Sequence, residues 1–201
     1  MKPSRILVTG SNSGFGRLAV VTLARAGHRV VATMRNVAKG ESLIAECEAE
    51  GLEIEVRQLD VCDPQSVAGA FADADQLDGL VNNAGFEVQG ALETIDDELM
   101  RRQLDTNVLG PLRTMRAVLP SWRRRGSGVI VNVGSIAGKA AMPYGGAYAA
   151  SKFALEGMTE ALYWGGGPRR HSSPPHRARP FLRHRLRRQH HPTRSLVRLR
   201  A

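Results

Sequence analysis

Arg5-Ile6-Leu7-Val8-Thr9-Gly10-Ser11-Asn12-Ser13-Gly14-Phe15-Gly16 carries a short β-rich run into a glycine-rich turn and then into a helical pattern. Glycines at 10, 14 and 16 let the backbone turn tightly and come close to a ligand. The helix N-terminus beyond them offers free N–H groups and a partial positive charge, a combination suited to a pyrophosphate. In isolation such a turn is weak evidence and could be no more than a tight strand–helix connection. Its meaning depends on the pattern of the remaining chain.

That pattern is an alternation. Short β-rich runs fall at 5–9, 29–33, 53–58, 80–82 and 129–133, and helical patterns at 15–26, 37–50, 64–74, 96–119 and 147–164. Gly27 and Gly51 stand where helix C-caps are expected. Asp63-Pro64 reads as an N-cap followed by proline at the first helical position. Strands alternating with helices imply crossover connections, hence an α/β fold with a parallel sheet covered on both faces. No internal repeat is present.

With 201 residues and 42% hydrophobic composition, the chain can build one domain with a sizeable core. No apolar stretch reaches the length of a membrane span. The N-terminus runs directly into the first strand, so no signal peptide is expected, and a cytoplasmic location is the expectation. Cys47 and Cys62 lack metal-site spacing and read as reduced thiols. The formal charge of +9 is concentrated at one end: residues 165–201 hold eleven Arg, five His and no acid. The remaining 17 Lys and Arg face 19 acids, a balance of −2. The chain therefore divides into a near-neutral body, 1–164, and a basic tail, 165–201, expected to be disordered.

Several body segments carry possible chemistry. The second strand ends in Thr33-Met34-Arg35-Asn36, with no acid for a ribose 2′-hydroxyl. Arg35 instead suits the 2′-phosphate of NADP(H), with NAD(H) the second choice; the alternative is a solvated loop arginine. Asp60, before Val61, could accept a hydrogen bond from an adenine amino group or simply cap a turn. Asn82-Asn83-Ala84-Gly85 succeeds the fourth strand at the C-terminal edge of the sheet, where small residues admit a ligand and the amides tie adjacent loops. Asn107, ahead of Gly110-Pro111, suggests a local helix distortion that frees a carbonyl, although that segment alone favours an exposed helix asparagine.

Tyr148 and Lys152 are four residues apart and share one face of a helix. A free phenol ionises near pH 10 and is a poor general base at neutrality; an adjacent ammonium favours its phenolate. Ser135, after the apolar run 129–133, could hold a substrate oxygen beside Tyr148. Standing alone, the pair would read as a half-buried tyrosine and a surface lysine.

Taken together, Thr9-Gly10, Gly14-Phe15-Gly16, Asp60, Asn82-Asn83-Ala84-Gly85, Asn107, Ser135 and Tyr148 with Lys152 resemble the short-chain dehydrogenase/reductase family in order and spacing over 1–164. The resemblance implies a Rossmann-type doubly wound parallel sheet and a tetrad of Asn107, Ser135, Tyr148 and Lys152. It also implies cofactor contacts from Gly10, Ser13, Gly14, Phe15, Gly16, Arg35, Asp60, Val61, Asn83, Ala84, Gly85, Tyr148 and Lys152. Within the family, Lys152 would hold the nicotinamide ribose and Asn107 would keep a water in the proton relay. The segments around Arg35 and Arg17 look like the branch containing steroid and retinol dehydrogenases. The implied activity is NADP(H)-dependent interconversion of a secondary alcohol and a ketone, acting on a small molecule and using no metal. Homo-oligomers occur in the family, but their assembly commonly uses later elements.

After Trp164 the family pattern stops, and the fold is expected to be truncated after the fifth strand and its following helix. Read one base out of register, with permitted codons, 165–173 can spell EVAPAGIRV, 177–181 EPGPF and 184–186 TDF, which resemble the family's usual continuation. The expectation is a shifted reading frame near codon 165. An exposed fifth-strand edge, little turnover and a tendency to aggregate would result. The alternative, from another functional class, is a non-catalytic nucleotide-binding remnant whose basic tail binds nucleic acid.

Overall fold

The computed structural model describes residues 3–165 and the backbone of 194–199. Among these residues the strands are β1 (Arg5–Thr9), β2 (Arg29–Met34), β3 (Ile54–Gln58), β4 (Gly79–Asn82), β5 (Gly128–Val133) and β6 (Arg194–Leu199). The helices are α1 (Gly14–Arg25), α2 (Glu41–Ala49), α3 (Pro64–Ala70), α4 (Asp97–Leu104), α5 (Gly110–Arg125) and α6 (Gly146–Gly165). The sheet order is β3-β2-β1-β4-β5-β6. The first five strands are mutually parallel. The order reverses between β1 and β4, which sets a ligand-binding crevice at their C-terminal ends.

Strand residues alternate between two cores. Leu7, Val31, Leu80 and Ile130 point to one face, beside Val67 and Phe71 of the α3 region and Met115, Val118 and Trp122 of α5. Val8, Val30, Ala32 and Met34 point to the other, against Val20, Val21 and Ala24 of α1 and Leu43 and Cys47 of α2. This double burial explains why β1 and β2 read as nearly unbroken apolar runs rather than as an alternation. Removing one such side chain, Leu7 to alanine for example, would cost about 2–5 kcal/mol.

The expected caps are in place. Gly27 and Gly51 come just after α1 and α2 at φ +80° and +67°, the left-handed region that glycine adopts freely. Asp63 accepts from Gln65 N at 2.8 Å ahead of Pro64. The helix expected over 96–119 is instead two α-helices joined by a π turn, Asp105–Leu109, in which Gly110 N–H reaches back five residues to Asp105 O. α5 runs past Pro120 to Arg125 and ends at Gly126, φ +70°.

One expectation is corrected. β5 is not an exposed sheet edge, because the backbone of β6 pairs antiparallel along it from Gly128↔Leu199 to Val133↔Arg194. A parallel strand needs a crossover, whereas antiparallel pairing needs only a returning backbone, and the tail contains one. The rest of the expected disordered tail, 166–193 and 200–201, lies outside the described residues.

Candidate active site

The glycine-rich turn joins β1 to α1. Gly10 and Gly14 adopt φ +68° and +54°. A Cβ on Gly10 would stand 2.8 Å from Ala84 Cα, and one on Gly16 would collide with Gly10 O and the Asn83 amide. Ser13 is extended and does not cap α1 with its side chain. The N–H groups of Gly14, Phe15 and Gly16 have no hydrogen-bond partner among the described residues. Phe15 is 77% exposed above them. Three unpaired donors at the start of a 12-residue helix form a cradle for an anionic group.

Asn83 locks this turn to the end of β4. Its Nδ2 donates to Thr9 O and Gly10 O, both at 3.0 Å. Thr9 Oγ1 accepts from Asn83 N at 3.0 Å and from Ala84 N at 2.9 Å. The tie between loops expected of the asparagine amides is therefore present. On the other side of β1, Ser11 Oγ donates to Val8 O at 2.8 Å, and Ser11 N donates to Thr33 O at 2.9 Å. Arg35 lies just past Thr33 and Met34 and is exposed. Asp60 closes a turn by accepting from Cys62 N at 2.9 Å, and Val61 beside it is buried.

Asn107 is buried, 1% exposed, inside the π turn. The exposed-helix reading of this residue is thereby overturned: the widened turn carries its side chain inward. Its Oδ1 accepts from Phe86 N at 3.1 Å. Its Nδ2 donates to Phe86 O at 2.9 Å and to Ser151 Oγ at 3.1 Å. Ser151 sits on α6 between Tyr148 and Lys152. Gly85 backs onto this group, since a Cβ there would stand 3.0 Å from Asn107 Oδ1.

Ser135 is two residues past β5, where its Oγ accepts from Ala137 N at 3.2 Å and caps a short 3₁₀ turn, Ile136–Gly138. That turn packs on α6: a Cβ on Gly138 would be 3.1 Å from Lys152 O. Tyr148, half-buried, lies in the first turn of α6. Lys152 Nζ is 5.6 Å from the centre of the Tyr148 ring and donates to Val133 O at 2.8 Å. Burial pushes the Lys152 ammonium below its ordinary range, and the Glu156 carboxylate partly opposes this. The surface-lysine alternative is therefore excluded. The π turn is tied to α6 by Asn107 and Ser151, and the end of β5 by Lys152, while Ser135 starts the 3₁₀ turn that packs on α6.

Sequence reasoning missed two polar groups behind this constellation. Gln103, fully buried on α4, accepts from Val88 N at 2.7 Å and donates to Phe86 O at 2.6 Å. Asn82, Thr114, Asn132 and Thr159 form a buried chain. Thr114 Oγ1 donates to Asn82 Oδ1 (2.6 Å), Asn82 Nδ2 to Asn132 Oδ1 (2.9 Å), and Asn132 Nδ2 to Thr159 Oγ1 (2.8 Å). This chain joins α5, β4, β5 and α6. The available signal was a polar residue recurring at otherwise apolar strand or helix positions, as with Asn132 in Val129-Ile130-Val131-Asn132-Val133.

A dinucleotide fits the residues present: the uncapped amides at 14–16 leave donors free for an anionic group, and Gly10, Gly16 and Gly85 let the turn, the loop after β4 and Asn107 close tightly on one another beside it. Among the described residues no cluster of three or more His, Cys, Asp or Glu could hold a metal ion. No helix among them is long and apolar enough to cross a membrane.

Known proteins resemble the chain over this same body. Residues 4–167 match the short chain dehydrogenase family. Human retinol dehydrogenase 8 is 42% identical over 165 residues, which cover 80% of this chain and 53% of that protein. Human 17-beta-hydroxysteroid dehydrogenase type 1 is 38% identical over 165 residues, covering 78% and 50%. A variant actinorhodin polyketide ketoreductase, crystallised with NADPH, superposes with a TM-score of 0.77 at 32% identity, covering 81% of this chain and 65% of that one. The chain spans about half the length of the curated relatives it matches. With the glycine turn, the asparagine lock and the Tyr148–Lys152 pair in this order on this sheet, the chain belongs to the short-chain dehydrogenase family of oxidoreductases.

Proposed function

We propose that the chain supplies the cofactor-binding and proton-transfer half of an NADP(H)-dependent oxidoreductase that interconverts a secondary alcohol and a ketone. The observation that carries this reading is Lys152, a buried ammonium held between Val133 O and the Tyr148 ring. A buried charge with one backbone acceptor is costly to keep unless its field is used.

When bound, NADP(H) supplies a hydride for reduction or accepts one in oxidation. Gly10, Ser13, Gly14, Phe15 and Gly16 would cradle its pyrophosphate, and Arg35 its 2′-phosphate. Asp60 and Val61 would flank the adenine. Asn83, Ala84 and Gly85, with Tyr148 and Lys152, would border the nicotinamide ribose. Ser135 Oγ would donate to the substrate oxygen. In the reductive direction the Tyr148 hydroxyl would release its proton to that oxygen as the carbon gains the hydride, and Lys152 would stabilise the phenolate left behind. Asn107 would hold the π turn that borders the proton relay. The NADPH-bound ketoreductase and the retinol and steroid dehydrogenases among the similar proteins support the cofactor class and a small-molecule alcohol or carbonyl substrate. A cytoplasmic location belongs to this same proposal.

The test is NADPH oxidation with a panel of ketones by the 201-residue chain and its Tyr148→Phe variant. The expected result is turnover that falls at least about 10³-fold in the variant while NADPH binding persists. Equal rates in the two proteins would refute the role of Tyr148. The eleven arginines of 165–201 favour one second reading, a nucleotide-binding remnant with a nucleic-acid-binding tail. Its mark would be salt-sensitive nucleic-acid binding lost on deleting 165–201.

A further inference from the structure

We infer that Gln103 is a positioning residue, one half of a two-residue clamp with Asn107 that fixes the Phe86–Val88 backbone beside the nicotinamide end of the site. The inference rests on the dinucleotide reading for its ligand and on geometry for the clamp.

Gln103 and Asn107 lie four residues apart, and both are buried on the inner side of the α4–π-turn segment. Between them they satisfy both backbone polar groups of Phe86 and the N–H of Val88. Phe86 O accepts from Gln103 Nε2 and from Asn107 Nδ2, Phe86 N donates to Asn107 Oδ1, and Val88 N donates to Gln103 Oε1. The segment 86–88 directly continues the Asn83-Ala84-Gly85 turn that is locked to Thr9 and Gly10. Its far side is linked through Asn107 Nδ2 to Ser151, between Tyr148 and Lys152. The clamp therefore holds the loop after β4 in fixed relation to α6. The residues bordering the adenine end, Arg35 and Asp60, make none of these contacts. Removing one amide should disturb one end of a bound dinucleotide and spare the other.

The experiment compares binding of NADP⁺ and of 2′,5′-ADP, which lacks the nicotinamide end, in the 201-residue chain and in Gln103→Met. The Met variant keeps the volume and loses both hydrogen bonds. NADP⁺ binding should weaken about tenfold, while 2′,5′-ADP stays within about twofold. A core variant away from the clamp, Val118→Ala, should lower Tm without splitting the two ligands. Amide exchange at Val88, whose acceptor Gln103 supplies, should rise about tenfold or more in the unliganded Gln103→Met chain. If Gln103→Met does not fold, Gln103→Asn, one methylene short, should give the same split. Parallel loss of both ligands, or native exchange at Val88, overturns the clamp. Failure of the parent chain to bind either ligand overturns the cofactor reading instead, and the exchange measurement still decides the role of Gln103.

Discussion

Lys152 Nζ donates to Val133 O at 2.8 Å while lying 5.6 Å from the centre of the Tyr148 ring. One buried side chain thus joins α6 to the end of β5 and sets a positive charge beside the Tyr148 ring. Burial lowers the proton affinity of this ammonium from its ordinary value of 10.5. The unfolded chain therefore binds this proton more tightly than the folded one. Between the lowered value and 10.5, stability rises with pH as the penalty of holding the buried charge is relieved. Lys152→Met removes the charge, its penalty and its hydrogen bond together. Its stability at neutral pH should match or exceed that of the parent by up to about 1 kcal/mol. The parent should gain on the variant as pH approaches 10.5, and hydride transfer in the variant should fall about 100-fold or more. Paired thermal melts at neutral and alkaline pH, with NADPH turnover, check all three.

Asp73 makes the opposite kind of linkage. It accepts from Arg57 Nη1 and Nη2, both at 2.7 Å, and from Arg5 Nη1 at 2.6 Å, tying β1 and β3 to the segment after α3. Hydrogen bonds from Arg57 above all hold its carboxyl well below its ordinary value of 3.8. This contribution is fully present above pH 3.8 and is lost as pH falls toward the lowered value. Asp73→Asn should cost about 1–3 kcal/mol at neutral pH. The gap between parent and variant should narrow below about pH 4, as read from urea midpoints across the acid range. A gap that is constant with pH would remove the ionic explanation.

The body fold was legible because its signals were local and redundant. β1 was placed at Arg5–Thr9 from five residues, and Gly27, Gly51 and Asp63 marked ends that the backbone honours. Asn107 was half legible. Gly110-Pro111 hinted at a distortion, but only tertiary packing shows that the π turn rotates the amide inward to Phe86 and Ser151. Gln103 and the Asn82–Asn132–Thr159 chain went unread because a buried polar residue differs from a surface one in its partners, which are distant in sequence; only Asn132, polar within an apolar strand, stood out locally. The pairing of Arg194–Leu199 with β5 was missed for a similar reason. An arginine-rich run carries no apolar alternation to announce a strand, and its pairing is made by backbone.

Gly16 and Gly14 should separate packing from conformational strain. Gly16 faces Gly10 O and the Asn83 amide with no room for a methyl group, whereas Gly14 has open space but a φ of +54°. Gly14→Ala should cost about 1 kcal/mol from the left-handed backbone alone. Gly16→Ala must displace the Asn83 lock and should cost more, about 2–3 kcal/mol, and also weaken dinucleotide binding. Denaturant titration with NADP⁺ binding on both variants checks the order. A larger loss at Gly14 would contradict it.

Arg35 offers the sharpest test of cofactor choice. It is exposed just past β2, with no acid in Thr33-Met34-Arg35-Asn36 to receive a ribose 2′-hydroxyl. Arg35→Ala should weaken NADP⁺ about 10–100-fold, the loss of a charge-assisted pair, and leave NAD⁺ nearly unchanged. Equal weakening of both cofactors would assign Arg35 to the loop rather than to the phosphate.

The family match ends at residue 167, three residues beyond the point where the sequence departs from its pattern. From there the chain has eleven arginines and no acid, a composition that a shifted reading frame would explain. One base out of register, permitted codons for these residues can spell EVAPAGIRV and EPGPF in order, beginning at residue 165. The expected outcome of sequencing across codon 165 is a single inserted base, with an unshifted continuation on its far side. A chain carrying that continuation should stay monodisperse to higher concentration and turn over NADPH with a ketone faster than the 201-residue chain. Light scattering and NADPH oxidation on the two chains, prepared alike, decide the point. A locus that encodes the tail as it stands, with full activity in the 201-residue chain, would sink the frame-shift explanation.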